Sequence, residues 1–163
     1  MTEIERIARL LEKTFDKQPW YGSSIMEILL RVDPEKAIVR EGDIHSIIEL
    51  VLHMVSWRKF TTQRLLGDTE FEVTDEANFP KPTSWKDALD QLHQSQGALL
   101  AAVKQFPESR LAELVPSKTL KYTYYTLLHG IIQHDIYHLG QMALLQKLAT
   151  RQMGASQIVA TKI

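Results

Sequence analysis

The sequence predicts an all-α protein, a four-helix bundle with long inter-helix connections, and three observations predict it. Four stretches carry apolar residues at the three- and four-residue steps of an amphipathic helix. The segments between them hold the prolines and glycines that interrupt helices. The last stretch keeps a four-three-four-three spacing through Leu127, Ile131, His134, His138, Gln141, Leu145 and Leu148. That pattern belongs to a helix packed in a bundle, with neighbours crossing at about 20°. With 163 residues the chain is sized for one domain, 1–163, around one core.

Each element has its own warrant. Ile4, Ala8, Leu11 and Phe15 define a first helix over 3–15. Pro19 and Gly22 break the chain, and Ser23 or Ser24 caps a short helix ending near Arg31. Asp33-Pro34-Glu35 reads as the cap and first turn of another. Asp43 is the expected N-cap of a long helix running from Ile44 to about Leu66, with Leu50, His53, Trp57 and Phe60 on one face. Residues 67–82 read as a polar excursion with a short extended piece at Phe71-Glu72-Val73. Thr83 or Ser84 caps the third long helix, whose seam runs from Trp85 to Phe106 before Pro107. The last helix is expected over about Tyr122 to Arg151. The tail from Gly154 has no helical pattern and is expected to be mobile or to pack on a partner.

Composition narrows the function. A net charge of −1 gives no field that would draw the whole molecule to nucleic acid or an anionic membrane. No apolar run approaches the ~18 residues of a membrane span. The charged amphipathic start, MTEIERIARL, is unlike a signal peptide, so a cytoplasmic protein is expected. The chain has no cysteine, which excludes disulfides, thiolate nucleophiles and cysteine-based zinc sites. No glycine-rich phosphate loop or nucleophile elbow is present.

The chemistry lies in QHDIYHLGQ, residues 133–141. His134 and His138 stand one helical turn apart on the core-facing seam. Two imidazoles so placed can converge on one ion, with metal–nitrogen bonds of roughly 2.0–2.1 Å. His53, on the seam of the second long helix, can supply a third. A single histidine on an apolar face is usually a hydrogen-bonded core residue, but three seam histidines each demand a polar partner. His45, His93 and His129 fall off these seams and read as surface or boundary residues. Glu49, one turn before His53, could add a carboxylate, although a solvated helix face suits it better. HDIYH matches the H-E-x-x-H protease motif poorly. Asp135 is expected at the surface or behind a ligand, Gln141 beside a metal-bound water or a neighbouring helix, and Tyr137 in packing. These two, Asp135 and Gln141, are the weak catalytic candidates. Clusters such as Arg58-Lys59 read as ordinary helix surface.

PWYGSS after the first helix, His53-x-x-x-Trp57, and HDIYHLGQ on the last helix together resemble the DinB/YfiT-like superfamily of metalloenzyme-like bundles. The resemblance spans nearly the whole chain. It implies a divalent metal, zinc or nickel, held by His53, His134 and His138, and it implies a homodimer. The family includes bacillithiol S-transferases and the mycothiol-dependent maleylpyruvate isomerase. The implied chemistry is therefore activation of a small thiol towards a small-molecule electrophile. Metal-dependent hydrolysis at the same open site, and a non-enzymatic metal- or ligand-binding dimer, are the competing expectations. Neither nucleic acid nor membrane is an expected partner.

Overall fold

The computed structural model describes residues 1–117 and 121–160, with 150–160 as backbone only. Its elements are helical: α1 (Glu3–Phe15), α2 (Ile25–Leu29), α3 (Pro34–Ala37), α4 (Ile47–Leu66), α5 (Asp75–Asn78), α6 (Trp85–Gln105) and α7 (Tyr124–Ala160), with a 3₁₀ turn at Glu108–Arg110. Among the described residues no strand forms, only isolated bridges between Glu41 and Ile44 and between Leu114 and Thr123. None of the described helices is long and apolar enough to cross a membrane.

The helix ends follow local side-chain chemistry. Thr2 with Glu5, Ser24 with Glu27, and Ser46 with Glu49 form capping boxes that satisfy otherwise orphaned backbone N–H groups. Ser84 caps α6, and Asp33 caps α3 with Pro34 at its first position. Gly67, at φ +92°, ends α4: its N–H bonds Arg64 and that of Asp68 bonds Gln63, the pairing of a left-handed helix cap.

Three local expectations are corrected. Asp43 is not the cap of α4, because residues 41–44 close a tight turn in which Ile44 N–H bonds Glu41 and Gly42 takes φ +60°. The helix therefore waits for Ser46. Phe71-Glu72-Val73 is not a strand: Asp68 accepts from the N–H groups of Glu70 and Phe71, and no second strand lies alongside. The α7 backbone continues through Gly154 to Ala160. A glycine inside a helix costs about 1 kcal/mol relative to alanine, which neighbouring helix formers can offset. Residues 161–163, and any packing of the tail on a partner, lie outside the described residues.

The four long helices form a ring in the order α1, α6, α4, α7, each packed on its two neighbours. Two apolar clusters fill it. One gathers Phe15, Ile25, Met54, Leu92 and Met142, the other Leu11, Leu65, Leu99, Leu128 and Ile131. On every long helix a buried polar residue separates the two clusters: Thr14, Arg58, Ser95 with Gln96, and Asp135.

At the centre of this layer Arg58 Nε and Nη2 donate to Asp135 Oδ2 at 3.0 and 2.8 Å. The two side chains are 1% and 0% exposed, which overturns the helix-surface reading of Arg58 and the surface alternative for Asp135. A charge here is tolerated because its counter-charge is buried with it, and removing one partner leaves the other uncompensated. Arg58→Met should therefore cost roughly 3–5 kcal/mol of unfolding free energy in urea titrations. A loss below about 1 kcal/mol would place the pair in a far more solvated setting than its burial implies.

Candidate metal centre

The site is assembled by α4 and α7 beside the polar layer. His53 lies on the α4 face that meets α7, one turn before Trp57. His134 and His138 project one turn apart from α7, which keeps their rings together, with centroids 4.5 Å apart. The His53 ring lies 4.9 Å from that of His134 and 4.7 Å from that of His138. One ring nitrogen from each residue falls within 4.8 Å of those of the other two. His53 Nε2 and His134 Nε2 are 3.0 Å apart. Two nitrogens bound at ~2.05 Å and ~90–110° about one ion would be roughly 2.9–3.4 Å apart, so this spacing suits shared coordination.

The second nitrogens show how the rings are oriented. His53 Nδ1 donates to the Asn78 carbonyl at 2.8 Å, and His138 Nδ1 to Gln141 Oε1 at 2.7 Å. Both bonds place the ring proton on Nδ1 and leave Nε2 with its lone pair, the tautomer a metal ligand needs. His134 Nδ1 stands 4.0 Å from Asp135 Oδ1, and these two buried atoms have no hydrogen-bond partner. Burial drives the His53 pKa down to about 4, against the raising effect of the Asn78 bond and with help from the neighbouring histidines. Burial likewise lowers His138, against the Gln141 bond. Both are therefore neutral at pH 7. This donor set fits a divalent ion: His53 and His138 have Nδ1 bonded and present Nε2 lone pairs, and His134 Nε2, which can donate to His53 Nε2, would exchange that proton for the ion. The three histidines could hold a metal.

The connection between α4 and α6 roofs the site. Buried Arg64 holds it by donating to the Asp68 carbonyl and to Glu72, each at 2.7 Å. Farther along, Asn78 Oδ1 accepts from Trp57 Nε1 at 3.0 Å. The Phe79 ring lies between those of His45 and His53, stacked at 3.8 and 4.3 Å. Two apolar hollows flank the histidines. One, about 380 Å³, opens beside His138 and Gln141, and the other, about 290 Å³, beside His134 and Trp57.

The remaining sequence candidates are placed as follows. His45 is half-buried and lines the larger hollow without joining the trio. His93 is exposed and meets Phe15 edge-on, while His129 is half-buried near Glu3 and Tyr125. Glu49 turns away from His53 to Ser46 and Arg40, and the Arg40 guanidinium pulls its pKa down to about 2. Gln141 bonds a histidine ring. Tyr137 is 66% exposed and does not pack in the core. Sequence spacing missed Asn78 and Phe79, because they sit at the end of the single-turn helix α5, too short to show a period, where the connection folds back over α4. Trp57, one turn from His53, was the one signal near them.

Comparison with family models matches residues 5–142 to the DinB superfamily. No curated protein and no solved structure matches the chain significantly. With the match covering most of the chain, and with the all-helical fold and the histidine cluster inside it, the protein belongs to the DinB superfamily.

Proposed function

We propose that His53, His134 and His138 hold one divalent metal ion, zinc or nickel, and that the protein is a metal-dependent enzyme of thiol S-transferase type. The observation that carries this reading is the convergence of three imidazole nitrogens from two helices, two of them with Nδ1 already bonded. When bound, the ion would supply Lewis acidity that lowers the pKa of a thiol or water meeting it. The chain's own residues do the positioning. Asn78 and Gln141 fix the tautomers of His53 and His138, and Asp135 stands behind His134, itself anchored by Arg58. In the proposed transfer the thiol loses its proton to solvent, a carbon–sulfur bond forms, and the leaving group departs with its electron pair. A homodimer in the cytoplasm is part of the same proposal.

Metal content of native protein should be near one equivalent and should fall in His53→Ala, His134→Ala and His138→Ala variants whose helical circular dichroism is retained. Unchanged metal in all three would remove the centre. In chelator-treated protein the His53 ring resonances should titrate near pH 4 and not near 6.5. Its folded pKa is depressed, so the stability tied to neutral His53 is present above 6.5 and lost as pH falls through about 4.

Asp135→Asn should weaken zinc binding, by less than the roughly 10–100-fold of a hydrogen-bonded carboxylate, because Asp135 Oδ1 stands 4.0 Å from His134 Nδ1. In a His134→Ala background the same change should have little further effect, which separates positioning from general destabilisation. Equal losses in both backgrounds would assign Asp135 to the core alone.

Turnover by zinc- or nickel-loaded protein should require a thiol across a panel of small electrophiles. Ester or amide cleavage without thiol would identify a hydrolase instead. A metal with no exchangeable position and no turnover would indicate a binding bundle.

A further inference from the structure

His45 stands beside the metal centre but outside the converging trio. It lines the larger hollow, about 380 Å³, together with His138 and Gln141. That volume falls within the ~300–1,000 Å³ of small-molecule sites. Whatever fills the hollow therefore meets His45 as well as the histidine network.

Two contacts fix this ring. Phe79 stacks on it at 3.8 Å with 8° between the planes, and the same Phe79 stacks on His53 at 4.3 Å and 11°. The three rings form one column from the hollow to the proposed ion. At the edge of the ring, Arg40 Nη2 lies 3.4 Å from His45 Nδ1. Glu49 holds that guanidinium through Nε, at 2.9 Å to Oε2, and through Nη2. Glu49 is itself tied to the start of α4 by the Ser46 N–H.

A guanidinium offers only donors, so Nδ1 is the acceptor and the proton of the neutral His45 ring sits on Nε2. His53 and His138 have the reverse arrangement, because their Nδ1 atoms donate. His45 thus presents an N–H where those two present a lone pair, which suits it to bind a reactant and not a metal. Among the described residues no protein group accepts this N–H, and Asp43, the carboxylate lining the same hollow, makes no bond to it.

We infer that His45 is a substrate-binding residue: its Nε2–H donates to an acceptor oxygen, of a carbonyl or a carboxylate, on the reactant in the larger hollow, and Arg40, anchored by Glu49, is the positioning residue that sets its tautomer. This rests on the metal-enzyme reading of the preceding subsection and adds one chemical feature of the reactant. A stacked ring whose free N–H is oriented from behind by an ion pair is arranged to select for such an oxygen.

The test uses zinc-loaded full-length protein, with zinc content measured first. Three thiols of similar length are titrated by calorimetry: N-acetylcysteamine carries an amide carbonyl, 4-mercaptobutanoate a carboxylate, and 1-pentanethiol no acceptor. His45→Phe keeps a ring on Phe79 and removes the N–H. It should weaken an acceptor-bearing thiol about three- to tenfold, the worth of one hydrogen bond, and leave 1-pentanethiol within about twofold. A loss confined to N-acetylcysteamine assigns a carbonyl, and one confined to 4-mercaptobutanoate a carboxylate. In thiol-free protein, ring-nitrogen NMR shifts should show His45 protonated at Nε2 in the native chain and a mixture of tautomers in Arg40→Gln. Zinc uptake with all three thiols unaffected by His45→Phe, or weakened equally, overturns the inference and leaves the metal reading standing. A native His45 protonated at Nδ1, or a tautomer unchanged in Arg40→Gln, likewise overturns it. Loss of zinc in His45→Phe would make His45 a ligand and overturns it too. Failure of the native chain to take up zinc overturns both.

Discussion

The buried ion pair between Arg58 and Asp135 is the constraint around which the bundle is arranged. Its two hydrogen bonds link α4 to α7 at the level where the apolar core divides. Apolar contacts are non-directional and tolerate sliding of one helix along another. A charged pair does not, because a slide of one helical turn, about 5.4 Å, would break both bonds and strand two charges. Fixing that register also fixes the histidines. Asp135 follows His134 directly, and Arg58 lies five residues beyond His53, so the contact that aligns the helices also brings the two imidazoles within 3.0 Å.

The long connection between α4 and α6 completes what the two helices begin. A connection of this length, with only the single turn α5 in it, is uncommon in a small bundle, and where it occurs it often serves a site. Here Arg64 and Glu72 secure one end, and Asn78 and Phe79 deliver backbone, amide and ring contacts at the other. His53 is thereby held from both sides, by α4 beneath it and by the loop above. The tautomer of this histidine is thus set by a residue 25 positions away in sequence.

The sequence patterns were informative wherever one periodic feature determined the outcome. Helix spacing located α1, α6 and most of α4, and a hydroxyl cap with Asp87 marked the start of α6, because those signals are local. The three histidines were legible for the same reason: spacing of four places side chains on one face. Asp135 was legible only in part: a place behind a ligand was one of its two expected roles, but its burial on Arg58 was not foreseen. Adjacent helical residues point about 100° apart, and assigning one seam to α7 put Asp135 off it. In fact α7 is covered on a wider arc, with Leu128, Ile132, Asp135, Leu139 and Met142 buried beside the histidine stripe. Arg58 was misread along with it, since a buried charge becomes reasonable only when its partner is known. Asn78 and Phe79 could not be read at all, because their role comes from a tertiary contact with no period.

Why imidazoles stand where leucines would serve now has a physical answer. Buried polar rings must be compensated, and leucine at the three positions would avoid that cost. If these rings served only to fill the core, each would be expected to reach its own separate partner. Instead His53 and His138 use Nδ1 for such bonds, which leaves their Nε2 atoms as acceptors within a cluster of three imidazoles. Acceptors gathered this way need a donor or a cation among them, and a neutral His134 can donate its Nε2–H to His53 Nε2, 3.0 Å away. An additional proton is disfavoured, since burial holds His53 neutral down to about pH 4 and lowers His138 as well. The same three nitrogens could exchange that N–H···N bond for a shared divalent cation, which their convergence would suit.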